Sequence, residues 1–476
     1  MWIGGKWVSA ESDKTFAVRN PTTGDELGQV PLGAKTDADK AVEAAVKAFP
    51  VWSKMLPSER AMFLNRIAAV IRANADELVA LEVREHGTPV KYARHFVAMG
   101  AELTEHTASL SKALMGQVIP ALPDTLSYLQ RVPIGVCALI VPWNLPFILM
   151  IAMLAPALAA GNTCVLKPAS ISSLTGIKLA ELLDSVNLPP GAVNLVTGPG
   201  DTVGEALASN PSVDLVRFTG SSETGKKIMS IASQTVKKVV MELGGNNPVI
   251  VLEDADVEAA ARLQASKHFA NSAQNCSTPG RYYVHENIYD QFVDTFVSEV
   301  KKIVVGDPLD EQTTMGPMSN RRQRDKVDSY VQAALKEGAR IVIGGQIPST
   351  PPLNKGNFFM PTVVADVTHS MEIAREEIFG PVACILKFSS DEDIIAMAND
   401  TSYGLCAGVW TKDMAKGMRM IDELRVDSVY LNMPRTIATE LPWGGNVKES
   451  GVGKDGAMCG LEELTDLKLV CIGYAK

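Results

Sequence analysis

Between about residues 136 and 245, short apolar segments alternate with helical patterns, and this alternation constrains the fold more than any other feature of the sequence. Each segment is followed by Gly, Pro, Ser or Thr and then by a helical pattern, and the four segments read CALIVP, CVLKP, AVNLVTG and LVRFTG. Strands that are buried on both faces and joined by helical crossovers form parallel sheets. The sequence therefore predicts an α/β fold built on a parallel sheet.

The rest of the chain divides into regions of different character. Residues 36–115 have helical spacing, and residues 117–135 are β-rich and interrupted by prolines, which predicts a hairpin. A second α/β series runs from about 248 to 430, and the sequence ends near the strand-like LKLVCIGY, which needs a partner strand. A chain of 476 residues is long enough for two or three domains.

Net charge and composition indicate which binding partners and which cellular compartment to expect. The net charge is -9 and no basic run occurs, so we expect no binding to nucleic acid or to an anionic membrane. The longest apolar stretch, 136–158, is interrupted by three prolines and an asparagine, and the N-terminus has no signal-peptide pattern. The seven cysteines include no C-x-x-C pair. These features predict a protein of the reducing cytoplasm, without a membrane segment or a metal site.

Glycines after the third predicted strand indicate a nucleotide. Gly198, Gly200 and Gly204 lie between this strand and a helix, where a close backbone and a helix N-terminus can receive a phosphate. The spacing G-x-G-x-x-x-G is one residue longer than the usual dinucleotide pattern, so an ordinary strand-to-helix turn is the alternative.

Two further turns follow strands of the same series. Lys167 and Ser170 follow one strand, and Gly220 and Ser221 follow another. A lysine at this edge can bind ribose hydroxyls or a phosphate, although a lone lysine is more often a solvated surface residue.

Three residues have the chemistry for oxidation through a thioester. Cys276 lies among small polar residues in NSAQNCSTPGR, which suits a nucleophile, although a lone cysteine is more often structural. Glu242, beside two glycines in MELGGNNP, is a candidate general base or, alternatively, an ion-paired or capping carboxylate. Asn144, between two prolines in VPWNLP, is a candidate oxyanion donor or a satisfied turn residue.

These motifs together resemble the ordered series of the aldehyde dehydrogenase superfamily. The resemblance covers almost the whole chain, from GGKWV to the last strand, and is carried by PWNLP, LKPAS, FTGSSETG, MELGG, the segment around Cys276, EEIFGPV and WGGNVKESGVG. It implies that Cys276 attacks the aldehyde, that Asn144 and the Cys276 N–H stabilise the oxyanion, and that Glu242 activates the water that hydrolyses the thioester.

The resemblance also implies a cofactor, NAD or NADP, and a domain arrangement. Lys167 and Glu377 would hold ribose hydroxyls, Ser221 a phosphate, Phe379 the nicotinamide ribose, and Trp143 would line the junction with the substrate. The fold would comprise a Rossmann-like nucleotide-binding domain (1–114 and 134–245), an α/β catalytic domain (246–445) and a small β arm (115–133 and 446–476). Such arms pair between subunits, so we expect a homodimer or homotetramer.

The chain departs from the family pattern at two positions. Many NAD-preferring members carry a glutamate where this chain has Ser170, so repulsion of the NADP phosphate is absent and we expect NADP to be tolerated. Asp455 stands where a longer glutamate is common, and we expect no proton-relay role for it because its side chain is one methylene shorter.

The substrate is less constrained. Leu149, Met150, Ala152 and Met153 fall at family positions that line the tunnel, although helix core is an equal alternative. Arg435 lies in the loop that often closes the tunnel and could bind a carboxylate, or it could be a solvated loop residue. We expect an aromatic, medium-chain or semialdehyde substrate. The competing functions are a coenzyme A-acylating dehydrogenase and a non-catalytic ligand-binding protein on the same fold.

Overall fold

The computed structural model describes residues 1–474 and contains α-helices, four sheets and several short turns of 3-10 or π helix. The helices are α1 Lys35–Trp52, α2 Pro57–Ala73, α3 Ala75–His86, α4 Val90–Ser111, α5 Pro146–Ala160, α6 Ser173–Ser185, α7 Glu205–Ser209, α8 Ser222–Ala232, α9 Val257–His268, α10 Tyr289–Val300, α11 Arg321–Lys336, α12 Glu372–Arg375, α13 Asp391–Asn399, α14 Met414–Glu423 and α15 Ala457–Glu462. The strands are β1 Trp2–Ile3, β2 Lys6–Trp7, β3 Thr15–Arg19, β4 Glu26–Pro31, β5 Gln117–Val118, β6 Thr125–Pro133, β7 Val136–Ile140, β8 Thr163–Lys167, β9 Val193–Leu195, β10 Leu215–Thr219, β11 Lys238–Glu242, β12 Asn247–Val251, β13 Pro279–His285, β14 Arg340–Ile343, β15 Thr362–Val367, β16 Val382–Phe388, β17 Cys406–Trp410, β18 Ser428–Leu431, β19 Gly451–Val452 and β20 Thr465–Gly473.

The first sheet contains the four predicted strands. Its order is β19-β11-β10-β7-β8-β9-β1-β2, and the five central strands from β11 to β9 are parallel. Every residue of β7 and β8 is buried, as expected for strands covered by helices on both faces. The predicted α/β fold is confirmed, and the carboxyl ends of these strands meet at one edge.

The second sheet is built from the later α/β series. Its order is β14-β15-β16-β13-β12-β17-β18, and all neighbours are parallel except the β14–β15 pair. Two apolar clusters flank each of the two large sheets. A short segment connects the carboxyl end of β11 to the amino end of β12. This segment therefore joins the carboxyl edge of the first sheet to the amino edge of the second sheet.

A third, antiparallel sheet joins the predicted hairpin to the last strand. Strand β20 pairs with β6 along nine residues, and β5 pairs with the other edge of β6. Strand β19, which the predicted arm 446–476 includes, pairs instead with β11 of the first sheet. The division into domains stays a proposal: the pairing of β20 with β6 supports the predicted arm, whereas the pairing of β19 ties residues 451–452 to the first sheet. Within residues 1–474, no helix is long and apolar enough to cross a bilayer.

Candidate active site

The candidate nucleophile lies on a turn that enters the second sheet. Cys276 is a free, half-buried cysteine that precedes β13. Three consecutive residues before it, Asn271, Ser272 and Ala273, have left-handed backbone angles, with φ of 53°, 54° and 56°. Such angles are unfavourable for residues with a Cβ and persist only where the surroundings enforce them. The side chain of Ser272 supplies part of this support by donating to the carbonyl of Gly316 at 2.9 Å.

Asn144 connects the first sheet to this turn. It follows β7, and its Nδ2 donates to the carbonyl of Gln274, two residues before Cys276, at 2.9 Å. In return, Asn271 Nδ2 donates to the Asn144 carbonyl at 2.8 Å. Asn144 is buried, and its Nδ2 carries a second hydrogen that this bond does not use. The reciprocal bonds fix the Asn144 amide beside the nucleophile turn.

A second asparagine holds the other side of the nucleophile. Asn247, the first residue of β12, donates to the carbonyls of Cys276 and Thr278 at 2.8 and 2.9 Å and accepts from the Cys406 N–H at 3.1 Å. The sequence analysis did not select Asn247, because only its contacts across the second sheet distinguish it from the neighbouring Asn246.

The two glycines of MELGG, Gly244 and Gly245, lie where a larger side chain would not fit. A Cβ on Gly244 would lie 2.6 Å from a carboxylate oxygen of Glu377, and a Cβ on Gly245 would lie 2.5 Å from the Cys276 carbonyl. The Gly245 N–H also donates to Glu377 Oε1 at 3.0 Å. These contacts bring Glu377, predicted to bind cofactor ribose, close to the backbone of the nucleophile.

Burial dominates the electrostatics of the reactive groups. Burial raises the pKa of the Cys276 thiol to about 11, and the nearby charge of Arg435 opposes this rise. Burial and then Asp455 raise the pKa of Glu242, whereas Arg217 lowers it. Burial also raises the pKa of Glu377 to about 7. Cys276 is therefore a protonated thiol at neutral pH, and its conversion to a thiolate needs a proton acceptor.

The predicted cofactor residues form a second group at the carboxyl edge of the first sheet. Lys167, at the end of β8, is buried rather than solvated, and burial lowers its pKa to about 8. Its side chain passes Gly204, where a Cβ would lie 3.7 Å from Lys167 Cδ. Ser170 donates to the carbonyl of Gly198 at 3.1 Å. A Cβ on Gly200 would meet no described atom within 4 Å, so the backbone there borders open space.

The other predicted cofactor residues follow β7, β10 and α12. Ser221 caps α8, its Oγ accepting from the Thr224 N–H at 3.3 Å, and the Gly220 N–H donates to the Glu242 carbonyl at 3.0 Å. The rings of Trp143 and Phe379 meet edge to face at 5.5 Å. A buried lysine, open backbone at Gly200 and a capped helix N-terminus fit the charge and shape of a dinucleotide.

The predicted substrate residues separate into two groups. Met150, Ala152 and Met153 are buried on α5, and Met150 and Met153 belong to the core against the first sheet. Leu149 is half-buried. Arg435 and Ser277, the residue after the nucleophile, line the same small cavity. The structure thus brings Arg435 to the nucleophile turn and places the two methionines in the helix core.

Comparison with known proteins agrees with this fold. The family model described as "Aldehyde dehydrogenase family" matches residues 7–470. Betaine aldehyde dehydrogenase of Bacillus subtilis (strain 168) is 41% identical over 473 residues, covering 99% of this chain and 96% of the relative. The mitochondrial succinate-semialdehyde dehydrogenase of Arabidopsis thaliana is 39% identical over 472 residues, with coverage of 99% and 88%.

A solved structure gives the same result. Betaine aldehyde dehydrogenase from Staphylococcus aureus, in complex with NAD+, has a TM-score of 0.97 and 36% identity, covering 99% of this chain and 94% of that one. These comparisons place the chain in the class of nicotinamide-dependent oxidoreductases. The chain belongs to the aldehyde dehydrogenase family and is an NAD(P)-dependent enzyme.

Proposed function

We propose that the protein oxidises aldehydes to carboxylic acids through a thioester on Cys276 that water hydrolyses. The observation that supports this most directly is the convergence of three separate segments: Asn144 is bonded to the Cys276 turn, and the carboxylate of Glu242 is close enough to affect the pKa of the Cys276 thiol. Nucleophile, oxyanion donor and base are the three parts that acyl transfer through a thiol requires.

The proposed reaction assigns one step to each group. Glu242 or an intervening water accepts the thiol proton, and the Cys276 sulfur bonds to the aldehyde carbon. Asn144 Nδ2 and the Cys276 N–H donate to the oxygen that becomes negative. Bound NAD(P)+ supplies the hydride acceptor, with Lys167, Ser170, Gly200, Gly204, Gly220, Ser221, Glu377, Phe379 and Trp143 as the residues that would hold it. After the thiol proton has passed from Glu242 to solvent, Glu242 takes a proton from water, the water oxygen bonds to the thioester carbon, and the Cys276 sulfur leaves as a thiolate.

The position of Arg435 supports a preference among aldehydes. A guanidinium beside the nucleophile attracts a substrate that bears a carboxylate and repels one that bears a quaternary ammonium. Of the relatives above, one is named for the anionic succinate semialdehyde and two for the cationic betaine aldehyde. We therefore propose an aldehyde with a distal acidic group, and an apolar aromatic or medium-chain aldehyde as second choice.

Hydrolysis is favoured over acyl transfer to coenzyme A by the buried carboxylate beside the thiol. Oxygen Oε1 of Glu242 is buried and has no hydrogen-bond partner among residues 1–474, so its capacity to accept a hydrogen bond is unused. We further propose that NADP is accepted, because Ser170 carries no charge that repels its phosphate, and that the enzyme is a cytoplasmic homodimer or homotetramer.

An aldehyde panel tests the proposed function. Reduced cofactor is measured with aliphatic, aromatic, carboxylate-bearing and quaternary-ammonium aldehydes, with NAD and NADP in parallel and without coenzyme A. We expect turnover, highest with a carboxylate-bearing aldehyde, and none in Cys276→Ala, which should still bind cofactor. Glu242→Gln should give one burst of reduced cofactor and slow turnover afterwards. Activity only on addition of coenzyme A would move the protein to the acylating class, and turnover by Cys276→Ala would remove the nucleophile.

A further inference from the structure

A buried arginine, Arg217, lies on the strand next to the one that carries the proposed base, Glu242. Arg217 is the central residue of β10, where it lies between Val216 and Phe218, and is only 1% exposed. Its Nη1 donates to the carbonyl of Met153 at 3.2 Å, and its Nη2 is ion-paired with Asp455. A buried guanidinium is costly unless its charge is compensated, so an arginine within a sheet core needs an explanation beyond packing.

The register of the sheet explains where this charge points. Arg217 pairs with Val240 and Thr219 pairs with Glu242 in the parallel β10–β11 ladder. Residues two apart on a strand share a face, and directly paired residues project to the same side. Arg217 and Glu242 therefore project from one face of the sheet, offset by two residues along neighbouring strands.

Asp455 completes the cluster from a different part of the chain. Its backbone forms two bonds with Trp443, at 2.8 and 2.7 Å, and its side chain is 2% exposed. The groups that face Glu242 are then Arg217 from β10, Asp455 from the segment before α15, the Asp427–Lys454 ion pair, the Cys276 thiol and the Gly445 N–H. Arg217 is the only buried cation in this set.

We propose that Arg217 and Asp455 are positioning residues that jointly set the protonation of Glu242, Arg217 favouring the carboxylate and Asp455 favouring the acid. This inference rests on the proposed role of Glu242 as base. In the step concerned, Glu242 accepts a proton from water, the water oxygen bonds to the thioester carbon, and the carbon–sulfur bond breaks to return Cys276 as a thiolate that is then reprotonated. Because Asp455 is bound to Arg217, its part is electrostatic rather than that of a mobile proton carrier.

The test measures deacylation without a cofactor. A p-nitrophenyl ester acylates Cys276 with a burst of nitrophenolate, and the steady rate that follows reports hydrolysis of the acyl-enzyme as a function of pH. Asp455→Asn keeps the shape and removes the anion, so the acid limb of this profile should move to lower pH. Adding Arg217→Met then removes the remaining cation and should move the limb back to higher pH. At pH 6 the two variants should differ in deacylation rate by about ten-fold, the effect of one pH unit.

Two control variants distinguish the effect of the Arg217 charge from the effect of changing a buried side chain. Arg217→Lys in the Asp455→Asn background retains a cation and should keep the limb at low pH. Arg60→Met removes another buried arginine, one that binds the carbonyl of Ala159 at 2.9 Å away from Glu242, and should leave the limb unchanged. If the double variant does not fold, the direction of the Asp455→Asn shift alone decides.

The outcomes distinguish the inference from the function on which it rests. Equal acid limbs in the wild type, Asp455→Asn and the double variant, with deacylation still lost in Glu242→Gln, would overturn the inference and leave the base in place. The same is true if Asp455→Asn shifts the limb to higher pH. Absence of a burst, or full deacylation by Glu242→Gln, would overturn the proposed function and the inference together.

Discussion

At the scale of single residues, burial decides the properties of the site. Lys167 was a candidate from its position after a strand, and its burial removes the alternative of a solvated surface lysine. Arg217 was not a candidate, because within LVRFT it has no local signal and its partner Asp455 is far away in the sequence. Local patterns identified residues at the ends of strands, whereas the charge pair beneath Glu242 depends on a tertiary contact that no spacing encodes.

The cofactor preference is a prediction for one residue. Ser170→Glu places a carboxylate next to the loop that carries Gly198, in the region where the extra phosphate of NADP is expected. Because like charges repel, the KM for NADP should rise by about ten-fold or more, while the KM for NAD stays within about two-fold. Ser170→Ala, which removes the hydroxyl without adding charge, should leave NAD unaffected. Equal KM values for NADP in the wild type and Ser170→Glu would place that phosphate elsewhere.

At the scale of elements, helix α5 shows where a sequence pattern loses information. Its side chains are apolar almost all round, and nearly every one is buried. A helix with one apolar stripe shows which face meets the core, but a uniformly apolar helix does not. Met150 and Met153 were therefore equally consistent with a tunnel wall and with a core, and only the packing places them in the core. The strands β7 and β8, by contrast, were predicted because short apolar runs ended at turn residues.

The turn that carries the nucleophile provides a second prediction. Asn271 links its left-handed backbone to the Asn144 carbonyl, and its Oδ1 accepts from the Thr88 hydroxyl at 3.1 Å. Asn271→Ala removes both bonds, so Asn144 is held to the turn only by its side-chain bond to the Gln274 carbonyl, and acylation should slow by about ten- to a hundred-fold. The size of the ester burst and its rate measure this step directly.

A matched variant, Ser272→Ala, distinguishes an effect on the position of Asn144 from an effect on protein stability. Ser272→Ala releases the same turn from the carbonyls of Gly316 and Pro317, on the side away from Asn144. It should lower the Tm and change the acylation rate much less than Asn271→Ala does. Equal acylation rates in the wild type and Asn271→Ala would show that Asn144 is held without this tether.

At the scale of the whole molecule, the antiparallel sheet of β5, β6 and β20 exposes apolar side chains. Leu467 and Leu469 are 56% and 60% exposed and lie on one face of β20. Exposed apolar residues on a narrow sheet favour association with another copy. Replacing both leucines with lysine should therefore reduce the mass measured by light scattering, whereas Lys468→Glu, on the opposite face, should not. An unchanged mass would place the subunit contact elsewhere.

The strands that complete the first sheet and the antiparallel sheet come late in the chain. Strand β19 closes the edge of the first sheet beside Glu242, β20 pairs with β6, and Asp455 neutralises Arg217. During synthesis, Arg217 is added to the chain long before its counter-ion Asp455, so the sheet around Arg217 cannot reach its charge-paired form until Asp455 has been added. Contacts this distant in sequence form slowly and leave intermediates exposed. Completion of the first sheet by β19 and neutralisation of Arg217 by Asp455 thus both depend on residues 451–455, which links completion of the core to completion of the catalytic site.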